Sequence, residues 1–582
     1  MADCHASKIH LIWHADILPN IAKFMPSNDA ACCMRLVNMA AAAALRDFKV
    51  VKLSQLVPVL VFQRYWGAPG RMRSFTSFRR LKLLCLTAKS GSLANLELAV
   101  EVAGLNLTQE SVGAWVLGAA AGAGHLELCA WLRQRGCPWR DSLQKAARMG
   151  HWAVCEWLLA HGCPWDVAAV LQAGRGGHIG LMVWLLQRRP PGQQAAHPAA
   201  ALLLKEAVVG CDLEAVQRLV RDVPEVRTFV EQQRPQGQQQ QQQRERETYD
   251  ADRSSILSAA ASSPKLDWRA KVEWLLSLGW GSVWSPRLSV SAGCPDILHR
   301  ALWLRERGFL PRDDHLYELA VRTGDVAGLQ RLVDMGLPVP FNACWYAAQE
   351  GQLATLQFLM DRGAAARSSC ALAAFETGHL EVLRFLHGRG VVLDPGQLGA
   401  AIHSSLRYLH SPVVAWAVET LGAEVAASCG LREAAAATGS VESLSWLHQR
   451  GCPWADHTFT AAVTGGSEEA IEFLLQNGCP VNAHPSSYLP AARHGDLATL
   501  HACLLRLGCP RDKPALFLAC AGDRTIKLPV LQWLVEEGGC DEVDWGEAVQ
   551  AAVVGRRGWA GSEDMLVWLE ARRQQQRLQQ GS

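Results

Sequence analysis

Apolar and polar positions along this chain recur in a unit that keeps returning. From Gly124 to Trp139 it reads Gly-His-Leu-Glu-Leu-Cys-Ala-Trp-Leu-Arg-Gln-Arg-Gly-Cys-Pro-Trp. It returns 26 residues later, from Gly150 to Trp165, and again in decayed form from Gly177 to Arg189. Each copy predicts two short helices and a loop. The first helix is small and alanine-rich, as in Gln144 to Met149, and Gly150 ends it where the backbone must tolerate positive φ. The second carries a Trp-Leu pair, Trp131-Leu132 in one copy and Trp157-Leu158 in the next, and stops at a second glycine, Gly162. Cys163-Pro164-Trp165 follows, and the proline prevents the helix from resuming.

One such pair of helices cannot bury its own apolar face, so neighbours must stack. The pattern therefore predicts an all-α repeat solenoid of about 14–16 helix pairs, stabilised along its length with no single central core. The alanines let helices approach closely. The recurring tryptophans (Trp131, Trp157, Trp184, Trp274, Trp303, Trp416, Trp446, Trp533 and Trp568) are expected to fill the gap between one pair and the next.

The segment Ala373-Ala374-Phe-Glu-Thr-Gly378-His379-Leu380-Glu381, running on to Phe385-Leu386 and Gly390, resembles an ankyrin repeat. The resemblance covers roughly residues 81–572. It departs from the family in lacking Thr-Pro-Leu-His at the start of the first helix and in its shorter period, so shortened loops are expected. The resemblance implies a curved array whose first helices line a concave protein-binding face. Polar residues expected there include Lys145, Arg148, Arg175, Glu318, Arg322, Glu350, Arg432 and Arg493.

The first 48 residues fall outside the repeat. Ile17, Leu18, Ile21, Phe24 and Met25 fit one face of a helix that Pro26 ends, and a second helix is expected over about 29–47. Asp16-Ile17-Leu18, Ile21, Phe24-Met25-Pro26 and Arg35-Leu36-Val37-Asn38 resemble an F-box. That resemblance implies that Ile17, Leu18, Ile21, Phe24, Met25, Leu36 and Val37 dock a Skp-type adaptor. The chain would then be a substrate receptor of a cullin-type ubiquitin ligase. The competing expectation is a plain scaffold whose first helices only shield the first repeat.

The organisation expected is thus an F-box-like or capping module at 1–48 and a basic linker at 49–80. Ankyrin-like repeats follow at 81–230 and 254–572. A Gln-rich disordered insertion at 231–253 interrupts them, and a disordered tail at 573–582 ends the chain.

Charge sharpens this picture only at the N-terminus. The chain of 582 residues has a net charge of +2. Residues 1–84 hold twelve Lys/Arg and four Asp/Glu, net +8, which leaves −6 for the remainder. Arg71, Arg73, Arg79, Arg80 and Lys82 surround Phe75 and Phe78. Basic residues among aromatics can mean nucleic acid, but a solvated face or an acidic protein partner is the more common outcome, so nucleic acid is set aside as a partner. Of 19 cysteines, Cys137, Cys163, Cys452, Cys479 and Cys509 occupy one repeat position before proline. A residue fixed by a repeat is there for packing, which fits a cytoplasmic or nuclear compartment. No apolar run reaches membrane-span length, and no secretory leader is apparent.

No catalytic constellation, cofactor or metal site is expected. His125, His151, His178 and His379 recur one per copy, too far apart to share a metal, and each is expected to hydrogen-bond at its turn. Cys155, His161 and Cys163 straddle a helix end. Gly174-Arg175-Gly176-Gly177 is the inter-helix turn and not a phosphate loop.

Overall fold

The computed structural model describes residues 18–190, 197–233, 243–280, 287–288, 294–309, 311–393, 397, 411–421, 430–482, 484–509, 512–540, 543–556 and 563–580. Among these residues the fold is all helix and turn, with one isolated bridge between Leu105 and Asp496. It is a helical-repeat solenoid. Residues 1–142 together with 435–582 form one compact unit, and residues 143–434 form another.

The repeat folds as its pattern predicts. Ser142–Met149 is followed by Gly150 at φ 78°, then Trp152–Ala160 and Gly162 at φ 86°. First helices pack against first helices of the next copy: Val167–Gly176 on His197–Gly210, and Ala343–Gln349 on Ser368–Thr377. Each also packs on its own second helix, as Ser368–Thr377 does on Leu380–Gly388. The alanines make this close stacking possible. Ala146, Ala147, Ala173, Ala207, Ala347 and Ala374 are fully buried.

The tryptophan expectation is corrected in part. The leucine of each Trp-Leu pair is the core residue: Leu132, Leu158, Leu185, Leu275, Leu304, Leu447, Leu534 and Leu569 are all fully buried. Most of the tryptophans are only half-buried. Adjacent helix positions differ by about 100°, so the two side chains of a pair face different ways, and of these tryptophans only Trp303 and Trp533 are buried as well. The indole instead spans the surface between copies. Trp184 lies 5.2 Å from Trp152, Trp303 lies 5.1 Å from Trp268, and Trp131 donates its N–H to Glu97 at 3.1 Å. A guanidinium four residues on covers the ring: Arg135 over Trp131 at 4.0 Å, Arg188 over Trp184 at 3.7 Å, Arg307 over Trp303 at 3.9 Å and Arg450 over Trp446 at 3.8 Å. That arginine stands at the helix C-terminus, where the dipole favours a cation.

Two of the four recurring histidines hydrogen-bond across copies. His125 Nε2 is 3.0 Å from the carbonyl oxygen of Lys89, and His379 Nε2 is 3.1 Å from that of Gln349. These carbonyls belong to the last turn of the preceding first helix, where no intrahelical donor remains. Elsewhere a buried cation does this work. Lys271 donates to Val208 O at 3.2 Å, Arg300 to Ala261 O at 3.1 Å and Ser263 O at 2.6 Å, and Arg556 to Ala521 O at 2.8 Å.

Residues 18–48 have their own small core, of Leu18, Ala22, Ala30, Met34, Ala41 and Leu45, with Ile21, Met25, Ala44 and Phe48 packed against it. Within the stretch expected as a linker, helix Val59–Trp66 buries Phe62 and Trp66 and packs on Leu93–Ala103 of the first repeat. Of the expected Gln-rich insertion, residues 234–242 lie outside the described residues, while Gln243–Ala261 is helical and packs on His197–Gly210 across it. Most of the expected tail lies in helix Glu563–Gln580.

Candidate functional site

Two surfaces bear on function. The first is the N-terminal module. Asn28 fixes it to the chain that follows: its side-chain N–H₂ donates to Lys52 O at 2.8 Å and Leu56 O at 2.9 Å, and its oxygen accepts from Lys52 N–H at 2.8 Å. Asn95 of the first repeat then donates to Val57 O at 2.8 Å. The module is therefore tied to the array through named polar contacts.

Its outer side is apolar. Phe24 is 90 % exposed, Leu36 69 %, Val37 51 % and Met39 87 %. A third of the exposed large apolar side chains among the described residues fall between Phe24 and Leu60. Arg35, Arg46, Lys49 and Lys52 share this stretch with only Asp29 and Asp47.

The seven residues that the F-box resemblance implied as adaptor contacts divide accordingly. Phe24, Leu36 and Val37 are exposed. Leu18 is fully buried in the module core, and Ile21 and Met25 pack against that core. Ile17 lies outside the described residues. Met39, which the sequence did not single out, is exposed. Its signal was present: a methionine opening the Ala40–Ala44 run has no alanine-sized reason to be buried.

The second surface is the face of the first helices. All eight polar residues expected there do lie on first helices or at their ends, and six of them are engaged in ion pairs within the chain. Arg175 pairs with Glu206 at 3.7 Å. Arg322 bridges Glu318 at 3.1 Å on its own helix and Glu350 at 2.7 Å on the next copy. Arg493 pairs with Asp523 at 2.7 Å, and Arg432 lies 4.0 Å from Glu433. Of these, Arg175–Glu206, Arg322–Glu350 and Arg493–Asp523 act as struts between copies. Burial opposes the charge on Asp523, but hydrogen bonds from Thr525 and Arg493 outweigh it and hold the carboxyl below the usual aspartate range. Arg148 is exposed at the end of its helix, and Lys145 is half-buried.

The basic stretch 71–82 turns out to have partners in its own chain. Arg80 is 2 % exposed and forms a paired contact with Asp496, at 2.9 and 2.6 Å. It also donates to Ala103 O at 2.7 Å, Gly466 O at 3.0 Å and Thr499 Oγ1 at 3.1 Å. Arg73 pairs with Glu468 at 3.5 Å and with Glu472. The expected acidic partner is, for these two arginines, the chain itself.

No group of three or more His, Cys, Asp or Glu side chains among the described residues could hold a metal ion, and no helix among them is long and apolar enough to cross a membrane. Burial pushes the thiols of Cys129, Cys137, Cys155 and Cys344 up to about 12, far from a reactive thiolate. All five cysteines that precede proline are buried.

No protein-family model and no curated protein matches the chain. The crystal structure of the pentatricopeptide repeat protein PPR10 from maize is similar at 12 % identity and TM-score 0.23, covering 92 % of this chain and 90 % of that one. PPR10 in complex with an 18-nt psaJ RNA element is similar at 12 % identity and TM-score 0.20, covering 97 % and 93 %. The sequence set nucleic acid aside as a partner, and that exclusion is corrected, because one structure similar to this chain holds RNA. At a TM-score of 0.20 the likeness goes no further and carries no argument about what this chain binds.

Proposed function

We propose that this chain is a non-catalytic binding scaffold of ankyrin type, whose N-terminal module is an F-box-like docking piece for a Skp-type adaptor of a cullin-type ubiquitin ligase. The repeat array would hold the target. The observation that carries the reading is the exposure of Phe24, Leu36, Val37 and Met39 on a module that has its own core. Large apolar side chains left uncovered in this number suit an interaction site. The excess of Lys and Arg in the same stretch of sequence suits an acidic partner that offers apolar side chains. Capping the first repeat falls to helix Val59–Trp66, which buries Phe62 and Trp66 there. That leaves less need for residues 18–48 as a shield.

The test is binding of the full chain to a purified Skp-type adaptor, with Phe24→Asp/Leu36→Asp as the disabled variant. Both positions are exposed, so the variant should fold. Affinity should fall at least a hundredfold, in line with about 2 kcal/mol or more for each buried hot spot. Wild-type chain that does not bind, or a variant that binds as well, sinks the ligase reading. Leu18→Asp is unsuitable, because it breaks the module core.

A further inference from the structure

The contacts between the N-terminal repeat and the C-terminal repeats run along a line, and their burial is graded along it. At one end the carbonyl of Arg73 accepts from Glu469 N–H at 3.2 Å and Ser467 Oγ at 3.4 Å, while its guanidinium, 34 % exposed, pairs with Glu468 and Glu472. In the middle stands Arg80 with Asp496, both almost wholly buried. At the far end Asn106 N–H donates to Gly495 O at 2.8 Å and Ala498 N–H to Gly104 O at 3.1 Å. There too the amide of Gln109 donates to Arg493 O at 2.7 Å and Thr525 O at 2.6 Å. The contacts gather at the turns that follow Asp456–Gly465, Leu489–Arg493 and Lys513–Gly522 and in the second helices that those turns lead into. Residues 73–109 thus lie across three successive turns.

We infer that residues 73–109 are a two-stage clasp on the C-terminal repeats, with an outer stage at Arg73 that opens with ionic strength and an inner stage from Arg80 to Gln109 that does not. The outer stage adds to its two bonds at the Arg73 carbonyl only partly exposed ion pairs, which salt screens over about 10 Å at 0.1 M. The inner stage depends on a buried guanidinium with five hydrogen bonds and on main-chain bonds, which salt barely reaches. Opening the outer stage frees the segment just before helix Ser77–Ser90 and releases Glu472, while Glu468 keeps its pair with Arg506. The inner stage keeps the N-terminal repeat in place meanwhile. The clasp is therefore a hinge point between the N-terminal module and the repeats that can loosen without unfolding them.

Amide hydrogen exchange of the full chain, read by mass spectrometry, tests this. Raising salt from about 0.05 to 0.5 M, a change that shortens the screening length severalfold, should speed exchange across Met72–Thr76 and Ser467–Glu472. Exchange at Gly104–Gln109 and Gly495–Thr499 should stay unchanged. Arg73→Glu at low salt should reproduce the effect, and Arg73→Glu/Glu472→Arg should restore protection. Asp496→Asn should loosen both stages together. Uniform acceleration from residue 73 to 109 in Arg73→Glu would show a single cooperative contact and overturn the proposal. Unchanged exchange at Met72–Thr76, under both salt and Arg73→Glu, would overturn it as well.

Discussion

Leu132 and Trp131 are neighbours in sequence, yet they do different work. Leu132 is fully buried in the stack, so Leu132→Ala should cost about 2–5 kcal/mol. Trp131→Ala removes a surface contact and a cation–π pair and should cost less, as urea unfolding of the two variants will show. The cysteines give a second residue-scale expectation. The thiols of Cys129, Cys137, Cys155 and Cys344 ionise at about 12 in the folded chain, because burial disfavours the thiolate. In the unfolded chain they ionise near 8.5. Their stabilising contribution is therefore complete below pH ~8.5 and is lost as pH rises towards about 12, at up to ~1.4 kcal/mol per unit for each thiol. Lys271, desolvated below the usual lysine range, works in the opposite direction, so the thiols must dominate. The urea midpoint should fall steadily between pH 8 and about 10, and a flat profile would contradict the buried-thiol account. That the pre-proline cysteines, Cys137 among them, pack was legible, because a residue locked to one repeat position cannot owe its place to chemistry in a single copy. That Leu, and not Trp, forms the core was not legible. Periodicity assigns a face to the pair but does not say which member points inward.

At the scale of the element, the glycine that ends one first helix and the histidine of the next copy form a fitted pair. A Cβ on Gly150 would lie 2.4 Å from His178 Cε1, and one on Gly351 would lie 2.5 Å from His379 Nδ1. Gly162, at a similar positive φ, has nothing within 4 Å. Gly162→Ala should therefore cost only its backbone strain, about 1 kcal/mol. Gly150→Ala should cost roughly 1–3 kcal/mol more, because overpacking adds to the strain. Gly150→Ala/His178→Ala should recover part of that excess. Equal losses at Gly150 and Gly162 would show that the imidazole moves aside freely. The turn itself was readable from Gly-His in the sequence. The contact was not, since spacing alone gives a residue's place in its own copy and not which neighbour it leans on.

For the whole molecule, the stacking of helix pairs followed from the returning pattern, while the junction of distant parts of the chain left no trace in it. Arg80 read as one more solvated cation because Asp496 is 416 residues away and follows no repeat relation to it. The pair is buried, so Arg80→Met alone should cost about 3–5 kcal/mol by stranding Asp496. Arg80→Met/Asp496→Leu should cost much less. Pulse proteolysis of the full chain across a urea series can rank the two, and a double variant worse than the single would refute the account. Which apolar side chains of the N-terminal module stay exposed was not legible in the same way. An amphipathic pattern shows that a helix has an apolar side, but not whether Phe24 or Leu18 is the one left uncovered. The fitted glycine–histidine pair also bears on how such a chain could grow. Because each pair straddles the boundary between copies, duplicating any whole number of copies recreates a compatible junction at once. One recombination event could lengthen the array with no compensating change elsewhere. A cut that leaves a fractional copy would set a bulky residue against the imidazole and fail at the first fold.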